Sequence, residues 1–260
     1  MSMNRFYTPQ TDFSSPSVII TDPKECHHLR DVLRLGSGDR IQLFNGEGMS
    51  ADGVIGTVQK SAVTVLIKKV YATVRPYLSR LILACALPKK GKFETIIEKT
   101  TELGVDEIIP MVTARTECRY DHKRAEKKHI RFSAVAKNAA KQCRRPDLPR
   151  IHPITPFSAV LDHFIDGQTN VLIPWLEGER RDLHSVLSGS SRPKKLILIG
   201  PEGDFTPEEA DEAIQRGAQP VSLGPLVLRV ETAAIAVTAV SRLTADIADH
   251  AQTRGAHGET

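Results

Sequence analysis

Residues 196–233 read LILIGPEGDFTPEEADEAIQRGAQPVSLGPLVLRVETA, and the rest of the chain is organised around them. Leu196 to Ile199 has the apolar pattern of a short buried strand, and Gly200-Pro201-Glu202-Gly203-Asp204 breaks it with a backbone that no regular element tolerates. Thr206 is placed to cap a helix, with Pro207 at its first position, Glu209 closing a capping box and Gly217 supplying the stop. A second strand follows at Val221 to Leu223, and Gly224-Pro225 turns it toward Leu226-Val227-Leu228-Arg229-Val230-Glu231-Thr232. Two glycine loops after two neighbouring strands are expected to build one ligand pocket at a sheet edge.

The same alternation extends outward. Upstream, Leu81 to Leu87 reads as a strand, Phe93, Ile96, Ile97 and Leu103 as the apolar face of a helix stopped by Gly104, and Glu107 to Val112 as the next strand. Lys89, Lys90 and Lys92 stand before that helix, where anions are favoured, but without the spacing of a phosphate-binding P-loop. A long helix from Asp121 to about Cys143 carries Phe132, Val135, Ala136, Ala139, Ala140 and Cys143 on one stripe. Thr155-Pro156 opens another with Phe157, Val160, Leu161 and Phe164, and Val171 to Pro174 is a further strand. Downstream, the chain is helical from Glu231 to about Ala248 and frays from His250. Five or so mostly parallel strands with helices between them make a doubly wound α/β domain.

Residues 1 to about 72 have a different texture. Val18-Ile19-Ile20 is a strand, Asp22-Pro23 caps a helix bearing Leu29, Val32 and Leu33, Ile41 to Phe44 is a strand, and Asn45-Gly46 signals a hairpin before strands at 51–58 and 62–70. This is the pattern of a small antiparallel barrel or sandwich, and Arg75-Pro76 marks the linker. Arg30 and Arg34 are i, i+4 neighbours able to grip successive phosphates. The adjacent His27-His28 pair points in two directions on a helix, so no metal is expected.

Composition bounds the function. The formal charge is +4, yet residues 119–150 hold eleven Lys and Arg against three Asp and Glu; that segment is +8 and the remainder −4. Concentrated basic charge points to a polyanion, nucleic acid first. No apolar run approaches the roughly 20 residues of a membrane span and no secretory signal opens the chain, so the expected location is the cytoplasm. Cys26, Cys85, Cys118 and Cys143 are far apart, which suits reduced, structural thiols.

Ile199 to Phe205, Leu223-Gly224 and Leu228 to Ala233 together resemble the RsmE family of SPOUT methyltransferases. The similarity also takes in Arg5-Phe6, the His28 to Arg34 stretch, Lys89 to Lys92, Glu102 to Val105 and Ala140 to Arg145. It implies a PUA-like RNA-binding barrel over 1–72, a SPOUT methyltransferase domain over 73–250 with a C-terminal trefoil knot at about 170–250, and a flexible tail at 251–260. It implies a homodimer that methylates N3 of a uridine in 16S ribosomal RNA, free or in the small ribosomal subunit. The methyl donor it implies is S-adenosyl-L-methionine, held by Leu172, Pro174, Ile199, Gly200, Glu202, Gly203, Leu223, Gly224, Leu228, Thr232 and Ala233. A non-catalytic ribosome-assembly factor, or a SPOUT enzyme acting on another RNA, is the alternative.

The chemistry then assigns roles. Uridine N3 carries a proton at neutral pH between two carbonyls, so a fixed cation should stabilise the developing anion. Arg229 is expected to supply it, with Glu231 orienting Arg229 or accepting the proton. N3 lies on the pairing edge, so the base must be unpaired or flipped. Arg5, Arg30, Arg34, Lys89, Lys90, Arg144 and Arg145 are expected to contact the surrounding RNA.

Overall fold

Alternating apolar residues in the first third of the chain build a five-stranded sheet. Its strands are β1 (Asn4–Tyr7), β2 (Ser17–Ile20), β3 (Arg40–Phe44), β4 (Met49–Val58) and β5 (Val63–Ala72), in the order β1-β3-β4-β5-β2. β1 runs parallel to β3 and the other pairs are antiparallel. Phe6, Ile20, Ile41, Leu43, Ala51, Ile55, Val63 and Val65 point into one core. The β3–β4 hairpin forms where the Asn-Gly pair predicts it: Asn45 Oδ1 accepts from the N–H of Glu47 (2.8 Å) and Met49 (3.0 Å), and Gly46 takes φ 82°.

Asp22 caps α1 (Pro23–His27), its carboxylate accepting from the N–H groups of Lys24 and Glu25. The helix does not continue regularly to Arg34, as the sequence suggests. One π turn, His28–Val32, follows, and Arg34 adopts φ 54°. The wider turn keeps Leu29 in the core but leaves Val32 56% exposed, and it removes Arg30 and Arg34 from a common helical face.

The structure is a computed structural model that describes residues 3–9, 11–72, 77–117, 121–189 and 192–255, with the side chains of Lys90 and 246–255 left out. Arg75-Pro76, Cys118 and residues 256–260 lie outside the described residues. Two units emerge, 1–75 with 140–148, and 76–139 with 149–260.

The second unit is built on β6 (Arg80–Ala86), α2 (Phe93–Glu102), β7 (Glu107–Val112), α3 (His122–Cys143), β8 (Arg150–Ile151), β9 (Thr155–Pro156), α4 (Phe157–Phe164) and β10 (Thr169–Pro174). It continues through β11 (Arg181–Asp182), α5 (Leu183–Ser188), β12 (Lys194–Ile199), α6 (Pro207–Gln215), β13 (Ala218–Ser222) and α7 (Val230–Gly255). The sheet order is β11-β13-β10-β12-β6-β7-β8, with β9 also beside β7, and every described pairing is parallel. Successive β6 residues face opposite ways. Leu81, Leu83 and Cys85 pack with residues of α2, α3, α5 and α7, while Ile82 and Ala84 pack with those of α4 and α6. The sheet is therefore buried on both faces.

Three sequence expectations change here. β13 starts at Ala218 rather than Val221, and α7 runs past Ala248 to Gly255. β12 and β13 are not neighbours, because β10 lies between them and pairs with both. The two glycine loops thus end strands that flank a third, in the body of the sheet.

Candidate functional site

At the carboxyl ends of β10, β12 and β13 a cavity of about 260 Å³ opens. Crevices at the carboxyl ends of the strands are where open α/β sheets bind ligands. Three loops form it. Pro174, the last residue of β10, is followed by Trp175, Leu176 and Arg180; Ile199, the last of β12, by Gly200 to Glu202 and Asp204; and Leu223, Gly224 and Leu226 to Arg229 come from beyond β13. Val230 and Ala233 of α7 complete the wall. Apolar side chains dominate, with Glu202, Asp204, Arg180 and Arg229 as charged groups at the lining.

The loop after β12 is held by bonds from three directions. Asp204 sits in the left-handed region at φ 60° and its carboxylate accepts from the N–H of Phe205 (2.8 Å) and of Leu176 (3.1 Å). Burial pushes the Asp204 carboxyl up. Arg115, after β7, donates through Nη1 to the carbonyls of Gly203 (2.6 Å) and Phe205 (3.1 Å). Glu202 accepts from the N–H of Lys89 at 2.8 Å. Gly200 is closely packed, since a Cβ there would lie 3.0 Å from Asp204 Oδ1 and 3.1 Å from the Phe205 ring and would press on both. Gly224 is required by its backbone, at φ 110°. The Thr206 capping box is present as read, and Glu209 also accepts from the N–H of Ala114 at 2.8 Å.

Arg229 stands immediately before α7, its carbonyl accepting from the N–H of Ala233 at 2.8 Å. Its guanidinium is exposed and makes no hydrogen bond or ion pair among the described residues. Glu231, in the first turn, is instead paired with Lys92 at 2.7 Å. That hydrogen bond is the main reason its carboxyl lies below the ordinary range. Lys92 belongs to the segment that joins β6 to α2, so the start of α7 is tied to a neighbouring strand's loop.

The structure brings Pro174, Ile199, Gly200, Glu202, Leu223, Gly224, Leu228, Arg229 and Ala233 to this one cavity. Leu172 lies fully buried in the core, Thr232 faces solvent, and Gly203, beside Arg115, does not line it. Sequence reasoning named Pro174 but missed the rest of the β10 loop (Trp175, Leu176 and Arg180), Arg115, and the pairing of Lys92 with Glu231. Pro174-Trp175 carries the same strand-ending signal as Gly200-Pro201 and could have indicated the first of these.

The arginines and lysines named for RNA are differently placed. Arg5 is 9% exposed, lies over the Phe44 ring and donates to Arg145 O (2.9 Å) and Ser50 Oγ (3.2 Å). Burial pushes its guanidinium down to about 10. Arg5 is therefore a packed residue of the first unit and not an exposed phosphate ligand. Arg30 makes a two-pronged pair with Asp31 (2.7 and 2.6 Å), and Arg145 pairs with Asp147 at 2.9 Å. Arg34 and Arg144 are exposed at φ 54° and 62°. Lys89 pairs with Glu117 at 2.5 Å, and the Lys90 side chain lies outside the described residues. His27 meets Asp31 at 2.7 Å, and no group of three or more His, Cys, Asp or Glu among the described residues could hold a metal. No described helix is long and apolar enough to cross a membrane.

Comparison with known proteins adds to this geometry. A family described as an RNA methyltransferase domain matches residues 75–242, and one described as an RNA methyltransferase PUA domain matches 20–68. Ribosomal RNA small subunit methyltransferase E of Bacillus subtilis (strain 168) is 34% identical over 93% of this chain and 97% of its own. Its counterpart in Mycobacterium tuberculosis (strain CDC 1551 / Oshkosh) is 31% identical over 88% and 87%. The crystal structure of the Neisseria gonorrhoeae ribosomal RNA small subunit methyltransferase E bound to S-adenosyl methionine matches with a TM-score of 0.82, at 26% identity over 92% of this chain and 96% of that one. A Legionella pneumophila methyltransferase in complex with the same cofactor matches at 0.84, with 28% identity over 94% and 98%.

Proposed function

The chain belongs to the ribosomal RNA small subunit methyltransferase E family, and from that premise we propose that it methylates N3 of a uridine in 16S ribosomal RNA with S-adenosylmethionine as donor. The observation that carries the reading is the three-loop cavity at the ends of β10, β12 and β13. Its residues suit that donor. Apolar walls take the adenosine and methionine carbons, exposed loop amides and carbonyls read the polar edges, and Glu202 and Asp204 give a negative lining for a sulfonium and an ammonium. When bound, S-adenosylmethionine supplies an electrophilic methyl group.

The protein's part is to align and to neutralise. Holding acceptor and methyl in line removes much of the entropic barrier. Arg229, whose guanidinium makes no hydrogen bond or ion pair among the described residues, is a cation of the cavity lining able to stabilise charge developing on the uracil oxygens, whereas Arg180 donates to the Trp175 carbonyl. Glu231 is engaged by Lys92 and fixes the helix start behind Arg229, which suits a positioning role better than proton abstraction. Of the first-unit arginines expected on sequence to meet RNA, Arg34 and Arg144 are the exposed ones and remain candidates for RNA phosphates.

We place the enzyme in the cytoplasm as a homodimer, packed through the small residues of α7 (Ala233, Ala236, Ala239), with the segment 170–250 knotted as the family resemblance implies. Calorimetric titration of S-adenosylmethionine, followed by transfer of its labelled methyl to small-subunit RNA, tests the reading. Failure to bind the donor, or equal labelling of transfer RNA and 23S RNA, contradicts it.

A further inference from the structure

α3 breaks two rules of helix design. Lys123 and Arg124 stand in its first turn, at the positive end of the helix dipole, where cations are disfavoured. Lys123 and Lys127 are like charges four residues apart, which repel. The helix holds seven Lys and Arg against one acid, Glu126. Its inner face needs none of this, since Phe132 and Ala136 are buried in the core.

Several of the seven are accounted for within the protein. Arg124 meets Asp121 at 3.5 Å, Arg131 meets Glu94 at 2.7 Å, Lys141 meets Glu25 at 2.7 Å, and Lys128 lies over the Phe132 ring at 5.7 Å. Lys123 and Lys127 are exposed and make no hydrogen bond or ion pair among the described residues. They share one line of the helix surface with Ile130, which is 64% exposed. Local preferences broken without an internal gain mark surfaces shaped by something outside the fold.

We propose that the Lys123–Lys127 face of α3 contacts the phosphate backbone of substrate RNA, adding affinity without reading sequence. The inference rests on the chain being an RNA methyltransferase, and it adds a contact surface within the methyltransferase unit itself. Charge complementarity selects the partner: a polyanion meets two ammonium groups that have no ion-pair partner among the described residues. One exposed isoleucine is too little for the apolar centre of a protein interface or for membrane insertion.

The test is a Lys123→Ala/Lys127→Ala variant, its binding to a small-subunit RNA transcript followed by filter retention between about 50 and 200 mM salt. The surface predicts RNA affinity roughly tenfold weaker at physiological salt and a slope of log affinity on log salt smaller by about 1.5, from ~0.7 to 0.9 per lost phosphate contact. Donor affinity, melting temperature and the methylation rate at saturating RNA stay at their wild-type values. Lys123→Arg/Lys127→Arg keeps RNA affinity. An unchanged affinity and salt slope in the alanine variant overturns the proposal, as does an equal loss in the arginine variant or a loss seen only with an acidic protein partner. Should the wild-type chain transfer no methyl to any RNA, the proposed function fails while the salt slopes still decide for or against the surface.

Discussion

The ammonium of Lys92 lies 2.7 Å from the carboxylate of Glu231, so the first turn of α7 is bound to the loop after β6 and Glu231 is not hydrogen-bonded to its near neighbour Arg229. Chiefly because of that bond, the folded-state pKa of Glu231 is lowered. The sign follows: the contact is fully present above the ordinary carboxylate range and is lost only as pH falls through the lowered value. Between about pH 6 and 9 its charge is constant. Glu231→Gln should therefore reduce kcat less than about tenfold and leave the shape of the pH–rate profile unaltered. Loss of an acidic limb from the profile would show that Glu231 accepts the proton.

Arg229 lines the cavity and its guanidinium makes no hydrogen bond or ion pair among the described residues. Arg229→Ala should lower kcat by about 10²–10³, the effect of removing one preorganised charge-stabilising donor, while calorimetry finds donor affinity within about twofold of wild type. A parallel loss of donor affinity would move Arg229 into the cofactor site and out of the chemistry.

Arg115 is exposed, yet it holds the carbonyls of Gly203 and Phe205 on either side of the left-handed Asp204. Without it the loop's amides lose their fixed aim. Arg115→Ala should weaken S-adenosylmethionine binding about three- to tenfold with kcat at saturating donor nearly unchanged, and Arg115→Lys should recover part of the affinity. Equal donor affinity in wild type and Arg115→Ala would show that the loop keeps its shape unaided.

Lys141 belongs by sequence to the basic segment, but in the fold it is a partner of the buried Glu25 and lies 5.4 Å from the centre of the Phe6 ring. Lys141→Ala leaves that carboxylate unpaired and should destabilise the first unit by about 2–4 kcal/mol in denaturant unfolding. A Glu25→Leu/Lys141→Met pair should regain most of the loss. If the single variant unfolds like wild type, the ion pair contributes nothing to the fold.

Local signals made much of this legible. The Thr206 capping box, the Asn45-Gly46 hairpin and the apolar stripes of β6, β7 and β12 specify their elements from residues close in sequence. Strand order did not follow from such signals, because β10 pairs with both β12 and β13 through contacts distant along the chain. Of the third loop of the cavity only Pro174 was named from sequence, and Trp175, Leu176 and Arg180 were hidden for that reason. Side-chain fate was hidden too. Arg5, Arg145 and Lys141 look like any exposed cation in sequence, and only the fold shows them packed on Phe44, Asp147 and Glu25. The π turn at His28–Val32 has no composition that announces it.

The central claim is that the cavity at the ends of β10, β12 and β13 delivers a methyl group to uridine N3. Nucleoside mass spectrometry of 16S RNA, incubated with the full chain and S-adenosylmethionine, tests it most directly. The account predicts one N3-methyluridine per RNA, absent with Arg229→Ala at matched times. Methylation on another base, at the ribose or at uracil C5, or none at all with donor bound, would contradict it.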